Sequence, residues 1–251
     1  MTSQQDVTAG GAGTPVGVIL AGAGRMGQLL RALVEEDPGF ELVGTYDIDT
    51  AQELDEKAPA AGLVIDFSNP GMLPHVAAYV RRTHAAYLTG TTNYGADDLR
   101  VLDELGEVAP VIWSANFSLG VATLRRLARE AAATLAGFDC EIVECHHRQK
   151  VDAPSGTAKL LLEAVGATDV VYGREGVTGV RPEGEVAVHA LRGGTVAGTH
   201  EVLFLGPDEE VILAHRAASR QIFASGAMAA ARRLLTRPPA RYTFDELMFD
   251  E

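Results

Sequence analysis

Short apolar runs alternate with segments of helical periodicity over the first 116 residues of the chain. Residues 16–20 form an apolar run that is typical of a buried parallel strand, and apolar residues then recur at the spacing of one helix face, at Leu29, Leu30, Leu33 and Val34. Further strands are predicted at residues 40–47, 63–68, 85–92 and 111–116, and a helix at about residues 72–83. Strands that alternate with helices predict an α/β unit with a parallel sheet.

The pattern changes after Phe117. Residues 121–136 predict a helix rich in alanine, leucine and arginine, and residues 140–147 alternate as a strand does. A glycine-rich loop at about residues 172–184 precedes three strands with no helix between them, at residues 186–194, 200–206 and 210–217. This order predicts an α+β second unit with a mostly antiparallel or mixed sheet. We expect a later helix, at residues 227–235, to pack back on the first unit.

A glycine-rich turn joins the first predicted strand to the first predicted helix. Gly22, Gly24 and Gly27 form the pattern GxGxxG, and Asp47 ends the next strand. In a βαβ unit such glycines allow the backbone to approach a pyrophosphate, the helix N-terminus stabilises its charge, and the acid accepts hydrogen bonds from the ribose. The sequence favours dinucleotide binding, although a structural βαβ turn without a ligand would show the same glycines.

Polar residues also follow the other strands of the first unit. Ligands bind outside the C-terminal ends of the strands in open α/β sheets. We therefore expect one crevice to receive Asp66 and Ser68, Gly90, Thr91 and Thr92, and Ser114 and Asn116. A hydroxyl at the end of a strand can equally serve a turn.

Composition narrows the class of protein. The formal net charge is −13 and the pI is about 5.0, which argues against nucleic-acid binding and against binding to anionic membranes, because both need a broad basic face. Cys140 and Cys145 are the only cysteines of the chain, so we expect no disulfide framework and a reducing compartment. The first 14 residues have neither a basic leader nor a long apolar stretch, which predicts a flexible tail on a soluble, cytoplasmic protein.

Residues 144–157, ECHHRQKVDAPSGT, concentrate positive charge in this acidic chain. Successive strand residues point to opposite faces, so His146 and His147 can both serve one site only if the strand ends there. The chain must leave the strand by Pro154, because proline has no N–H to donate to the sheet. Ser155 is then a plausible N-cap for a helix that follows. Lys150 and the amides around Gly156 and Thr157 would then converge on one anion.

Three other interpretations of this cluster stay open. Asp152 can neutralise Arg148 or Lys150 on a solvated face. The histidines can be structural residues of the core or the sheet whose ring nitrogens are hydrogen-bonded within the protein. With Cys145 they can also ligate a metal, but no CxxC or HxxxH spacing supports that, and we predict no metal.

The segment HHRQKVDAPSGTA closely resembles the signature of the dihydrodipicolinate reductase (4-hydroxy-tetrahydrodipicolinate reductase) family, which serves bacterial diaminopimelate and lysine synthesis. Other stretches resemble the same family in the same order: GAGRMG, IDFS, GTT, ANFSLGV, YGREGVTGVR, RGGTVAGTHEVLF and SRQIFASGA. The resemblance covers nearly all of the chain after its first residues. The thirteen-residue segment is specific, whereas GxGxxG and GTT contribute little alone.

The resemblance implies a role for particular residues. His146 is similar to the family's acid/base histidine and Lys150 to its proton-donating lysine. The implied binders of the substrate carboxylates are His147, Ser155, Gly156 and Thr157. The implied cofactor-binding residues are Gly22, Ala23, Gly24, Arg25, Met26, Gly27, Asp47, Gly90, Thr91, Thr92, Ser114, Ala115, Asn116 and Phe117.

The residues and the resemblance together predict the organisation of the whole chain. We expect a flexible tail at residues 1–14, a Rossmann-type dinucleotide-binding domain at residues 15–116 and 221–251, and a substrate-binding and oligomerisation domain at residues 117–220. The implied assembly is a homotetramer, and the implied ligand a small dicarboxylate.

The chain departs from the family pattern in places that bear on specificity. Ala21 replaces the first glycine of the usual GxxGxxG, and Asn93 follows GTT where glycine is usual. Isoleucine at position 48 stands where family members that use NADPH well tend to have arginine, and Asp47 would repel a 2′-phosphate. Arg25 is the one nearby cation that softens this repulsion, so we predict that NADH is preferred and NADPH accepted.

The function expected from the sequence is NAD(P)H-dependent reduction of 4-hydroxy-tetrahydrodipicolinate to tetrahydrodipicolinate. Two alternatives stay open: a paralogous reductase of another cyclic imine or unsaturated amino acid, and a non-catalytic regulator that binds NADH. A regulator would keep the glycine turn and Asp47 but would have no use for His146 and Lys150 beside an anion site.

Overall fold

A computed structural model describes residues 14–249 as two sheets with helices packed on them. The tail predicted at residues 1–14 lies, except for its last residue, outside the described residues. Among residues 14–249, no helix combines the length and the apolar character that crossing a bilayer requires.

The first sheet has six parallel strands in the order β11-β5-β4-β3-β1-β2. Its strands are β1 (Val16–Ala21), β2 (Phe40–Tyr46), β3 (Leu63–Asp66), β4 (Ala86–Thr89), β5 (Pro110–Trp113) and β11 (Ala240–Tyr242). Its helices are α1 (Arg25–Glu36), α2 (Ala51–Glu56), α3 (Leu73–Thr83), α4 (Ala96–Gly106), α7 (Gln221–Leu234) and α8 (Phe244–Phe249). The predicted parallel α/β unit is confirmed.

Both faces of this sheet are covered, and alternate strand residues serve the two sides. Leu20 of β1 packs in a core with α1, α7 and α8, whereas its neighbour Ile19 packs in a second core with α2, α3 and α4. Several strands are shorter than the sequence predicts, because the backbone turns out of β4 after Thr89 and out of β5 after Trp113. The polar residues that follow therefore lie in loops at the C-terminal edge of the sheet.

The second sheet has five strands in the order β10-β9-β6-β8-β7. They are β6 (Asp139–His146), β7 (Asp169–Val171), β8 (Glu185–Arg192), β9 (Gly198–Leu205) and β10 (Glu210–Ala217), and the helices α5 (Leu119–Thr134) and α6 (Gly156–Ala164) cover one face. Strand β6 pairs antiparallel with β9 but parallel with β8. The sheet is thus mixed, the second of the two arrangements expected, because the chain crosses over α6 and β7 before it returns as β8.

The C-terminal segment returns to the first sheet, as the pattern at residues 227–235 predicts. Helix α7 packs against α1, and β11 pairs in parallel with β5 at the edge of the sheet. Most of the buried residues of α7, among them Ala227, Ala231 and Leu234, belong to the core around Leu20. The exact domain boundaries, at residues 117 and 221, stay a prediction.

Candidate active site

The glycine turn after β1 is closely packed against neighbouring backbone. Gly22 has φ +106°, and a Cβ there would lie 2.6 Å from the carbonyl oxygen of Phe67. A Cβ on Gly27 would lie 2.0 Å from the carbonyl oxygen of Gly22. Only glycine fits at these two positions, because the turn is compressed between α1 and the end of β3.

The N-terminus of α1 is free to bind an anion. Gly24 is its N-cap and carries no side chain to satisfy the first amides, and no acid lies in the first turn. Arg25 is the first helical residue and its side chain is exposed. Free amides and a cation at the start of a helix suit the pyrophosphate of a dinucleotide.

Asp47 lies just beyond β2, where the sequence places a ribose-binding acid. Its Oδ1 accepts hydrogen bonds from the amides of Asp49 and Thr50 and from the Thr50 hydroxyl, at 3.1–3.3 Å. Part of the carboxylate therefore stabilises the turn into α2. Among the described residues, no hydrogen bond to Oδ2 is found, so this oxygen has the capacity to bind a ribose. Ile48 is half exposed beside it.

Asp66, at the end of β3, is completely buried and does not face a crevice as the sequence suggests. Its two oxygens accept hydrogen bonds from a ring of groups: Ser68 through its amide and hydroxyl, and the hydroxyls of Tyr87, Thr89, Thr91 and Tyr94. Burial and the Asp66 charge raise the pKa of Tyr94 to about 12, and they raise that of Tyr87 too, so both phenols stay protonated donors. The ring fixes the loops after β3 and β4.

The predicted cofactor loops differ in what they expose. Thr92 and Ala115 are exposed, whereas Thr91 is buried and donates its hydroxyl to Asp66. The Phe117 ring lies in the core between Phe67 and Phe244, so any contact of Phe117 with a cofactor would come from its backbone. That Phe117 belongs to a cofactor-binding segment stays a prediction.

Asn116 joins the cofactor loops to the second sheet. Its amide nitrogen Nδ2 donates a hydrogen bond to Oγ1 of Thr157 at 3.1 Å. Its Oδ1 accepts the amide of Ser118, the residue that caps α5. A predicted cofactor residue and a predicted substrate residue are thus in direct contact.

Strand β6 ends at His146, and the two histidines then separate. His146 lies on the inner face of the sheet, with a side chain 11% exposed. His147 lines a cavity of about 520 Å³ together with Arg25, Arg148 and Arg220. No ion pair is found for these three arginines within residues 14–249, so the cavity between the two sheets carries uncompensated positive charge.

Lys150 lies in the loop after β6. Its Nζ is 2.8 Å from Oδ1 of Asp152, and its side chain is 20% exposed. The hydrogen bond from Lys150 lowers the pKa of Asp152. The interpretation that Asp152 neutralises a neighbouring cation therefore holds for Lys150. Asp152 is itself exposed to solvent, so this ion pair is not a buried one.

Helix α6 begins as the sequence predicts. The Ser155 hydroxyl accepts the amide of Ala158 at 3.2 Å, which confirms the N-cap. Ser155 is buried and its hydroxyl serves this cap, and its role in substrate binding stays a prediction. Gly156 is exposed, with no atom near the position of a Cβ. Among the described residues, the amides of Gly156 and Thr157 have no hydrogen-bond partner, so they are free to bind an anion.

Glu144, His146 and His200 form a buried cluster behind this helix. Oε2 of Glu144 lies 2.5 Å from Nδ1 of His146, and the rings of His146 and His200 pack edge-on with centroids 5.1 Å apart. Burial lowers the pKa of His146, against the influence of Glu144, and lowers that of His200 to about 4. Both histidines are therefore neutral at pH 7.

The cluster also bears on the metal hypothesis. One ligand-type atom of each of Glu144, His146 and His200 lies within 4.8 Å of the others. Two ligands of a tetrahedral zinc ion, at about 2 Å each, lie roughly 3.3 Å apart, so the 2.5 Å contact is a pairing of acid and imidazole. Cys145 projects from the opposite face of the strand and does not take part.

Sequence reasoning missed Glu144, His200 and Arg192. Glu144 precedes His146 by two residues, which places both on one strand face, and this spacing was the available signal. His200 is 54 positions further along the chain and reaches the cluster only through the pairing of β6 with β9, in which it lies opposite Glu144. Arg192 reaches it from the end of β8.

Comparison with protein families matches almost all of the described chain. Residues 16–117 match the model described as "Dihydrodipicolinate reductase, N-terminus", and residues 120–248 match "Dihydrodipicolinate reductase, C-terminus". The 4-hydroxy-tetrahydrodipicolinate reductase of Caldanaerobacter subterraneus subsp. tengcongensis is 38% identical over 237 residues, which cover 90% of this chain and 94% of that protein. The enzyme of the same name from Staphylococcus aureus (strain JH9) is 39% identical over 241 residues, covering 92% and 99%.

Solved structures share the fold. Dipicolinate-bound dihydrodipicolinate reductase from Paenisporosarcina sp. TG-14 has a TM-score of 0.73 at 24% identity, covering 94% of this chain and all of that one. The diaminopimelate (DAP) dehydrogenase of C. glutamicum, solved in complex with DAP, has a TM-score of 0.54 at 14% identity, covering 92% and 93%. At these identities the likeness concerns the arrangement of the two sheets.

Proposed function

The chain belongs to the dihydrodipicolinate reductase family, and we propose on that premise that it reduces 4-hydroxy-tetrahydrodipicolinate to tetrahydrodipicolinate with NAD(P)H, in diaminopimelate and lysine synthesis. One observation of this chain supports the proposal most. The contact between Asn116 and Thr157 brings the cofactor loops against the free amides at the start of α6, and Lys150 lies in the loop that precedes this helix. A hydride donor and a dicarboxylate bound at these two places would be neighbours.

The turn after β1 fits a nicotinamide dinucleotide. Gly22 and Gly27 leave no space for a side chain between backbone segments, and the amides at the start of α1 are uncapped. Arg25 adds a cation at the same place, and Oδ2 of Asp47 can accept a ribose hydroxyl. The cofactor supplies the hydride, and the role of the chain is to hold it at the C-terminal edge of the first sheet.

The substrate site would be the N-terminus of α6 and the loop before it. One substrate carboxylate would accept hydrogen bonds from the amides of Gly156 and Thr157 and from the Thr157 hydroxyl. The arginines of the cavity, with His147 beside them, would attract the dianion. This local charge explains how a chain of net charge −13 binds a dicarboxylate.

Reduction needs a proton as well as a hydride. The hydroxy substrate loses water to give the dihydro form, C4 of that form accepts the hydride, and negative charge develops toward the ring nitrogen and its adjacent carbons. Lys150 then donates the proton and stabilises the developing charge. His146, neutral at pH 7 because burial lowers its pKa, can accept and relay a proton.

Preference for NADH over NADPH is part of the proposal. An adenosine 2′-phosphate would lie near the Asp47 carboxylate, and Ile48, half exposed beside it, offers no positive charge. Arg25, the first residue of α1, reduces the repulsion without removing it.

We also propose a cytoplasmic homotetramer. The loop at residues 172–184 is fixed to the second sheet by ion pairs of Arg174 and Arg181 with Glu141, yet Val177 and Val180 in it are fully exposed. Leu191 and Ile212 are half exposed on strands of the same sheet. Apolar side chains on an ordered surface suit contact with further copies of the chain. Light scattering after size exclusion would test the tetramer.

The decisive experiment is NADH oxidation with substrate made in situ from pyruvate and aspartate semialdehyde by the preceding synthase. Oxidation that depends on both precursors supports the proposed reaction. Intact NADH binding without oxidation would point to a paralogue that reduces another cyclic imine, or to the NADH-binding regulator. Of these, the regulator alone would show no oxidation with any imine tested.

A further inference from the structure

Glu144 lies two residues before His146 on β6, and both side chains enter the same buried cluster. The Glu144 side chain has no exposed surface, and its Oε2 and Nδ1 of His146, which are 2.5 Å apart, have no further polar partner within the described chain. A carboxylate this close to Nδ1 favours the tautomer of the neutral imidazole that carries its proton on Nδ1, because that N–H can donate to Oε2. Nε2 is then the nitrogen that accepts and releases protons.

The other oxygen of Glu144 connects His146 to the anion site. Oε1 accepts the backbone amide of Ser155 at 3.0 Å and Nη2 of Arg192 at 2.9 Å. Ser155 is the N-cap of α6, so the position of its amide determines where the free amides of Gly156 and Thr157 lie. One buried carboxylate thus fixes both the imidazole and the start of the helix.

A buried carboxylate is costly unless it is paired. Oε1 of Glu144 accepts two hydrogen bonds, and Oε2 has the 2.5 Å contact with Nδ1 of His146. Burial raises the pKa of Glu144, but the hydrogen bonds from Arg192 and from the Ser155 amide outweigh it and hold the pKa below its ordinary value. Glu144 therefore carries its negative charge at pH 7.

The His146 ring is also held from its other sides. The His200 ring packs edge-on against it, and Nε2 of His200 lies 3.2 Å from the Ser155 hydroxyl. A Cβ at Gly198 would lie 3.2 Å from Nε2 of His146, so glycine at this position keeps space beside that nitrogen. The charged and titratable groups around His146 are Glu144 on its own strand, Arg192 on β8, His200 on β9, and Lys150 with its partner Asp152 in the loop.

We propose that Glu144 is a positioning residue for the reduction: it holds His146 in one tautomer and one orientation and ties that orientation to the N-terminus of α6. The inference rests on the proposed function. Glu144 itself does not touch the reacting atoms. It acts through His146 and through the Ser155 amide.

The test compares Glu144→Gln with a matched control, Glu141→Gln. Glu141 lies on the same strand with its carboxylate on the opposite face, paired with Arg174, Arg181 and His189. Both variants remove one paired carboxylate from β6, but only the first removes it from His146.

We expect Glu144→Gln to lower kcat roughly tenfold or more and to change KM less than about threefold. The limb of the kcat–pH profile that belongs to His146 should move to lower pH by about one unit, because the carboxylate favours the protonated imidazole. Glu141→Gln should leave kcat and the pH of the His146 limb unchanged, even if it lowers the melting temperature.

If Glu144→Gln fails to fold, it will also lose NADH binding, and Glu144→Asp then serves as the second variant. The aspartate keeps the negative charge but holds it further from Nδ1 of His146. We therefore expect kcat to fall again, and the His146 limb of the kcat–pH profile to move to lower pH by less than it does in Glu144→Gln. A folded Glu144 variant with the limb of the unaltered protein, or with the kinetics of Glu141→Gln, overturns the positioning role alone. An unaltered protein that binds NADH without oxidising it overturns the proposed function as well.

Discussion

The amide nitrogen of Asn116 donates its hydrogen bond to the Thr157 hydroxyl at 3.1 Å, across the boundary between the two sheets. Since Oγ1 of Thr157 accepts this bond, its own proton remains available to a carboxylate. Asn116 belongs to the predicted cofactor loops and Thr157 to the predicted substrate site. The two predicted sites therefore share a direct side-chain contact.

Thr157→Val tests the anion site directly. Pyridine-2,6-dicarboxylate, a planar dianion similar in shape to the substrate, should bind in the presence of NADH and raise the melting temperature. The variant keeps the shape but loses the hydroxyl, and should weaken this binding by about 1–3 kcal/mol in calorimetry. Thr123→Val is the control, because its hydroxyl bonds only to the Leu119 carbonyl on α5. Equal affinity in both variants would contradict the assignment of Thr157.

Lys150→Ala should lower turnover by a factor on the order of 10² or more, because it removes a proton donor and a positive charge together. The fold should persist, since the only ion pair of Lys150 within residues 14–249 is with the exposed Asp152. Lys159→Ala, on the exposed side of α6, is the matched control. Normal steady-state rates for Lys150→Ala would remove this lysine from the mechanism.

The preference for NADH should appear as roughly 5- to 30-fold higher kcat/KM than with NADPH at low salt. Ile48→Arg should move this ratio toward NADPH, because the guanidinium would pair with the 2′-phosphate beside Asp47. Equal efficiencies of the two cofactors with the unaltered protein would mean that Asp47 serves only the turn into α2.

Stability should fall as the pH drops from about 6.5 to 4. Burial lowers the pKa of His200 to about 4, below its unfolded value of 6.5, so the unfolded chain binds the proton first. The contribution of His200 is fully present above pH 6.5 and amounts to at most about 3 kcal/mol. His146 and His215, whose pKa values burial also lowers, act in the same direction.

Urea unfolding at pH 7 and pH 5 measures this effect. His200→Gln keeps a polar atom near the Ser155 hydroxyl but cannot titrate, so its unfolding free energy should change less between the two pH values. The carboxylates with lowered pKa values, Glu141, Glu144 and Asp152, lose their contributions only at lower pH. An unchanged slope in the variant would exclude His200 as the source.

Local patterns in the sequence predict much of the fold and part of the site. The spacing of apolar residues indicates the parallel sheet, the glycines indicate the turn at Gly22–Gly27, and Pro154 with Ser155 indicates the start of α6. These features depend on neighbours in the chain, so one sequence is enough to find them.

Features that depend on pairing between distant segments could not be found in this way. His200 meets Glu144 only because of the register between β6 and β9, and the buried ring of hydroxyls around Asp66 collects residues up to 28 positions apart. Ser155 and Phe117 were predicted as binding residues, but a sequence does not show which groups of a residue face inward. In the structure their side chains serve a helix cap and a core.

The return of the last segment to the first sheet sets an order for synthesis on the ribosome. The second sheet and its two helices come from one continuous stretch, so their partners are all present once residue 217 has left the exit tunnel. The core beneath the glycine turn must wait for α7 and α8, because Ala227, Leu234 and Leu247 belong to it. The nascent chain therefore has all strands of its second sheet before the core of its first sheet is complete, and a truncated product that lacks the last 30 or so residues would expose apolar surface and aggregate.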